Sequence, residues 1–360
     1  MNEKLNDSEL NAVVVLFTIG TTVLFGAGTV AREDSWIAVI ISTIVVIPIA
    51  KVYCKLLKLY PGKDLFQIFE LISGRWIGKF FTILYLWFAI HCTTLTFFNI
   101  VDFINFTGLP NTPILVLVMC LAILDIWMVN KGLKVIGKWS VFFLFVTAIL
   151  IIGTIYFNIQ LYNYENIKPI LSQGFYNIYL GIVSIVSTSF SGVIIFTFFV
   201  DSYSSIEKFE KVLIRSIVII GIIFLVYTLE NIFVLGVENT IRAHFPGYER
   251  LRKIHIGMAF QRLESVISIV FIISEFLRGS IFVLAGSKAI QRLFELEKNE
   301  FWVIPAVMTS VNLFFIEYQS ILIGVEFLIE VWPYYSAAAN IFIPIVLLIA
   351  ANIKKYLGTL

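Results

Sequence analysis

Residues 18–28 read TIGTTVLFGAG, inside an apolar run from Asn11 to Ala31. A run this long and uncharged is a membrane-crossing helix, because about 20 apolar residues span a bilayer. Yet it holds Gly20, Gly26 and Gly28 together with Thr18, Thr21, Thr22 and Thr29. Glycine weakens a helix by about 1 kcal/mol relative to alanine, and threonine is also a poor former. Two readings fit. Small side chains let membrane helices approach closely, or the helix is interrupted so that its backbone can serve a ligand. The sixth apolar run tips the choice. GIVSIVSTSFSGVIIF (181–196) gathers Ser184, Ser187, Ser189, Ser191 and Gly192 near its middle. Small polar interruptions at corresponding places in two halves of a chain point to an inverted repeat with discontinuous helices.

The rest of the chain agrees with that frame. Of its 360 residues 59% are hydrophobic and 14% charged, against about 45–50% and 25% in soluble domains. In lipid the backbone must satisfy itself, as helices or as a closed barrel, and these runs far exceed the roughly 10-residue alternating segments of a barrel. The expected fold is an all-α membrane protein of ten transmembrane helices, one polytopic domain over 1–360. Its 5+5 inverted repeat divides into halves 1–158 and 176–353, with discontinuous first and sixth helices. The first-half spans are read at 11–31, 35–53, 80–105, 113–129 and 139–158. Those of the second half are read at 176–200, 213–236, 259–284, 301–317 and 335–353. Residues 318–333 carry Glu326 and Glu330 and end at Pro333; they are read as an outer amphipathic segment, with an extension of the tenth span as the alternative.

The acidic start MNEKLNDSELN lacks a basic region before its apolar run, so the first span is read as retained. With the N-terminus inside, 18 of the 26 Lys and Arg lie on the cytoplasmic side. The positive-inside bias then places both termini in the cytoplasm. Five of the seven outer basic residues fall in 238–262, either a long loop that crosses regardless of charge or a lid or partner-docking surface. Cys54, Cys92 and Cys120 lack metal or disulfide spacing.

Short matches spread in order along the chain carry a family likeness. They are IGTTVLF with DSWIAVI (34–40), YPGKDLFQIFELISGRWIGK (60–79), GLPNTP (108–113), KPILSQG (168–174), FPGYERLRKI (245–254) and FQRLESV (260–266). The chain resembles the B-subunit spore germination proteins, a branch of the amino acid–polyamine–organocation superfamily. The resemblance implies a ten-span transporter fold that recognises a small nutrient germinant, often an amino acid. It also implies A-type and C-type partner subunits in the inner membrane of a spore. The sequence departs from the superfamily where a G-S-G-like break is Gly20-Thr21-Thr22, and where many relatives have proline and this chain has Phe25-Gly26.

Free amides at a half-helix N-terminus favour a carboxylate. The expected ligand-binding residues are therefore Gly20, Thr21 and Thr22 in the first span, and Phe190, Ser191 and Gly192 in the sixth. Ionisable residues inside spans are functional candidates by default. Asp102, Glu230 and Glu264 are the coupling candidates; Glu230, in YTLENIF, lacks a basic neighbour in sequence and must be protonated, paired with another helix or facing water. Glu275 and Arg278, three residues apart, form a structural pair. His91 is a hydrogen-bonded packing residue, and Asp125 and Glu317 lie near span ends. No catalytic, phosphate-cradling or metal motif is present, so an enzyme, a resident cofactor and nucleic-acid binding are not expected. Two functions remain open: a germinant-sensing receptor subunit and an ion-coupled amino acid permease. The resemblance implies that proton-coupled relatives often carry a lysine in the fifth span in place of a sodium ion; here that span (139–157) carries no charge, which favours the sensor. Sodium coupling through hydroxyls such as Ser265 and Ser268 belongs to the permease reading.

Overall fold

The computed structural model describes residues 4–172, 174–203, 205–254, 263–296, 302–318 and 321–357, and its regular elements are helical throughout. Residues 255–262 of the loop read at 238–262, with Arg262, lie outside the described residues, as do Lys298 and the first residue of the ninth span, 301.

Helix α1 (Asp7–Phe25) opens on a capping box, in which Asn6 and Glu9 each accept the other's backbone amide, the arrangement that satisfies two orphan donors at a helix start. Helices α2 (Ser35–Leu59), α3 (Leu65–Ser73), α4 (Arg75–Thr107), α5 (Ile114–Lys131) and α6 (Leu133–Asn158) complete the first half. The second half opens with α7 (Phe175–Ser184), which continues as a π turn and a 3-10 helix to Ser202, and then α8 (Ile206–Leu235). Two short helices, α9 (Val237–Arg242) and α10 (Pro246–Arg252), precede α11 (Glu264–Leu293) and α12 (Val303–Glu317). Among the described residues nine helices are long and apolar enough to cross a membrane, and α12 is a shorter apolar helix that makes the tenth.

The first and sixth spans occupy the centre. In both the first and sixth spans 78% of the most apolar window is buried within the protein, against 17% in the fifth. α1 packs on α11, α8 and α6, and α11 packs on α4.

Residues 321–333 of the expected outer segment are helical and continuous with the tenth span. Helices α13 (Ile321–Glu326), α14 (Trp332–Ala337) and α15 (Ile343–Tyr356) follow one another through π turns at Phe327–Val331 and Ala338–Phe342. The helix of the tenth span therefore runs back to Ile321, while its stretch apolar enough to cross a membrane is Trp332–Tyr356, close to the expected start at 335. Pro333 and Pro344 each stand in the first turn of the α segment after a π turn. A proline there lacks the amide that would bond one turn back, and the wider π turn absorbs the mismatch. Pro344 leaves the carbonyl of Asn340 open, and the Tyr53 hydroxyl donates to it; the Tyr85 hydroxyl donates to the neighbouring carbonyl of Ala339.

Candidate functional site at the crossing of the first and sixth spans

The sixth span loses its α-helical ladder where its hydroxyls collect. Ser187 donates to the carbonyl of Val183 at 2.5 Å and Thr188 to that of Ser184 at 2.6 Å, the local competition by which such side chains bend helices. Residues Ile185–Ser189 widen into a π turn, Phe190 donates its amide to Ile185 at 3.2 Å, and a 3-10 helix runs from Ser191 to Ser202. Ser336 of α14 donates to the carbonyl of Ser187.

The first span meets this break at Thr22, whose hydroxyl shares a hydrogen bond of 2.9 Å with Ser189. Below it, Gly192 leaves room for a ring: a Cβ there would stand 2.7 Å from Phe17. Phe17 packs on Phe196 and Phe282 with ring centres 5.1 Å apart in each case. Phe190 and Ser191 line a cavity with Tyr53, Val46, Val186 and Asn340, of about 10 Å³, room for roughly one water. The side-chain oxygen of Asn340 is buried beside it without a hydrogen-bond partner.

The discontinuity in the first span lies elsewhere than expected. α1 is continuous through Gly20–Thr22 and ends at Phe25, where Gly26 and Gly28 take φ of +83° and +60°. The hydroxyls of the run have partners: Thr18 donates to Val14 at 2.8 Å and Thr21 accepts from Arg278 at 2.8 Å. Gly20 serves close approach, since a Cβ on it would lie 2.6 Å from the Glu275 carboxylate and 3.0 Å from Ser274. The helix stops where α10 meets it; a Cβ on Gly247 would stand 2.3 Å from the carbonyl oxygen of Val23. The real break, Gly26 and Ala27, lines a second cavity of about 10 Å³ with Thr29, Arg32, Thr228 and Asn231. The Thr228 hydroxyl and the Asn231 amide nitrogen are buried without partners.

The buried charges are paired through space rather than along the chain. Glu230 (2% exposed) meets Arg250 (0%) at 3.1 Å, and its other oxygen accepts from Asn158 at 2.9 Å and Tyr162 at 3.1 Å. Glu275 takes a bond of 3.2 Å from Asn99 and lies 3.6 Å from Arg278, so this pair ties α1, α4 and α11 together. Asp102 is buried, and His244 reaches it at 2.7 Å. Asp125, expected near the interface, is 1% exposed and accepts from Ser280 at 2.6 Å. His91 packs among Trp87, Phe327, Trp332 and Tyr335 with Glu317 at 3.3 Å, and its ring nitrogens lack the hydrogen bond expected of them. Glu264 is half-buried and lines an open outer cavity with Arg242, Arg252 and Lys253.

Both ends of the crossing are tied. At the N-terminal side Lys288 of α11 donates to the carbonyl of Phe198 at 2.6 Å and to Asp201 at 2.8 Å. Asp64, wholly buried, takes Arg292 at 3.0 Å and Lys288 at 3.3 Å. At the other side Arg32 donates to Glu238, whose carboxyl it holds below the ordinary range. Of the six expected ligand residues, Thr22, Phe190, Ser191 and Gly192 gather at the crossing, whereas Gly20 and Thr21 turn to α11. Tyr53, Asn340, Thr228 and Asn231 escaped sequence reasoning. The one available signal was Pro344, which marks an open carbonyl at Asn340.

Among the described residues ten apolar helical spans, the sixth interrupted at its middle and the first ending at a glycine break, define a multi-pass membrane protein of transporter-like fold. The family described as spore germination protein matches residues 4–321, and the chain belongs to it. Spore germination protein YndE of Bacillus subtilis (strain 168) is 21% identical over 301 residues, covering 81% of this chain and 82% of that one. Spore germination protein B2 of the same organism is 22% identical over 355 residues, covering 91% and 93%. Among solved structures, the Eremococcus coleocola manganese transporter superposes with a TM-score of 0.65 at 14% identity, over 95% of this chain and 78% of that one. A Na+-coupled sialic acid symporter gives 0.65 at 12% identity, over 98% and 90%. These likenesses establish the fold and a role in spore germination; the family is permease-like and is not an enzyme family.

Proposed function

We propose that this chain is the germinant-binding subunit of a receptor in the spore inner membrane, with both termini in the cytoplasm. It binds a small nutrient of the amino acid class where the first and sixth spans cross, and passes a change of shape to A-type and C-type partner subunits. The observation that carries the reading is the junction of Thr22 with Ser189 beside the Phe190–Ser191 break and its small cavity. Irregular backbone at membrane depth is tolerated where it lines a cavity, and a sensor needs only that ligand favours one arrangement of that break over another. The tied ends and the small cavity suit a closed state that ligand must open or expand. Arg278, buried against Thr21, already places a positive charge between the first and eighth spans. Coupling through Asp102, Glu230 or Glu264 is secondary here, because Asp102 and Glu230 have protein partners.

Ser191→Thr adds one methyl group to the small cavity and keeps the hydroxyl, without touching the paired charges. Spores carrying it are expected to hold normal amounts of the subunit and to need at least about tenfold more germinant. An unchanged dose-response at normal protein level refutes the site. Purified protein in proteoliposomes separates the permease alternative: ion-gradient-driven uptake supports transport, whereas saturable binding without uptake supports the sensor.

A further inference from the structure

A groove of about 410 Å³ opens between the starts of α1 and α8 and the first half of α6, within the roughly 300–1,000 Å³ of small-ligand sites. One wall is apolar and faces outward: Val141 and Phe145 are exposed, and Leu144 is half-buried between them. The other wall carries Lys211 and Arg215, four residues apart on α8 and therefore on one helix face. Both are exposed, and neither has an ion-pair or hydrogen-bond partner among the described residues. The floor is polar and fixed, with Asn11 donating to Ser216 at 2.9 Å. Asp7, the one acid in the lining, accepts from the Tyr203 hydroxyl. Glu9 beside it is taken by Lys134 at 2.8 Å.

We infer that this groove binds an anionic glycerophospholipid. Its headgroup phosphate sits between Lys211 and Arg215, and an acyl chain lies along Val141, Leu144 and Phe145. Two free cations at the edge of the bundle beside an outward-facing apolar wall match a ligand with a negative head and an apolar tail. Basic pockets between membrane helices recognise such headgroups. Long basic side chains keep their stems on apolar surface while their charges reach the interface. A soluble anion would leave the apolar wall unused, and a partner protein would have to leave these two cations matched and the lipid-facing wall covered.

The test uses the full chain in nanodiscs of equal phosphatidylglycerol and phosphatidylcholine, with retained lipids counted by native mass spectrometry. Wild type is expected to retain phosphatidylglycerol selectively. The double variant K211Q/R215Q is expected to lose that preference about 25-fold, roughly fivefold for each surface cation. K51Q/K55Q removes two exposed lysines from the end of α2 and is expected to keep it. Equal retention by wild type and K211Q/R215Q overturns the proposal. So does displacement of the bound species by soluble glycerol phosphate, or the absence of any headgroup preference, which is the result if a second copy or a partner subunit fills the groove.

Discussion

Replacing Arg250 by methionine is expected to cost the fold about 3–5 kcal/mol, the penalty for stripping one partner from a buried ion pair. Arg250 is wholly buried; it lies 3.1 Å from Glu230 and donates to the carbonyl of Tyr227 at 3.2 Å and to Asn231 at 3.0 Å. Its guanidinium also lies over the Tyr227 ring, 4.8 Å from the centre. Removing it leaves the Glu230 carboxylate inside the bundle with only Asn158 and Tyr162 as donors. Single Arg250→Met protein should accumulate poorly and unfold at a lower temperature. The double variant Glu230→Gln with Arg250→Met should recover most of the loss, because the amide keeps an acceptor for Asn158 and Tyr162 without a charge. Glu230→Gln alone should also destabilise, by stranding Arg250, so a signalling defect in that variant is read only after its abundance is measured. Thermal unfolding of the four proteins in detergent, set as a double-mutant cycle, decides the matter. An Arg250→Met protein as stable as wild type, or a cycle with no coupling, would remove this pair from the account of the fold.

That pair also shows where the sequence stops being legible. Glu230 stands out as an acid in mid-span, but its partner lies 20 residues on, in a loop whose arginines read as solvent-facing. Only the fold brings α10 back onto α8. The interruption of the sixth span was readable because Ser187, Thr188 and Ser191 sit together and bond back to their own helix. In the first span the same residue types misplace the break. Thr18 and Thr21 find partners with the helix intact, so poor helix propensity is overridden by packing. The break instead follows positive φ at Gly26 and Gly28 and the arrival of Gly247 against the last carbonyls of α1. Before the tenth span, Pro333 reads as a stop, and a π turn before it lets the helix continue instead.

Gly28→Ala is accordingly expected to be damaging, although a reading that places the break at Gly20–Thr22 makes it nearly silent. Its φ of +60° is a left-handed conformation that costs an L-residue about 1–2 kcal/mol. A Cβ there would stand 2.7 Å from Cδ1 and 3.2 Å from Cγ1 of Ile185. Ile185 opens the π turn of the sixth span, so the clash falls on the element proposed to respond to ligand. Gly28→Ala should therefore lower stability and shift the germination dose-response together. Ile185→Val deletes Cδ1, and adding it should return the dose-response while leaving the backbone part of the stability loss. Gly20→Leu should behave differently. Its side chain meets Glu275 and Ser274 on α11, including the backbone nitrogen of Glu275 at 3.3 Å, and overpacking against a helix that cannot shift costs about 1–3 kcal/mol or more. That protein should be scarce in the membrane, and the molecules that remain should respond to germinant at the normal concentration. A shifted response from well-assembled Gly20→Leu protein would return the ligand to Gly20–Thr22, and a silent Gly28→Ala would uncouple the two breaks.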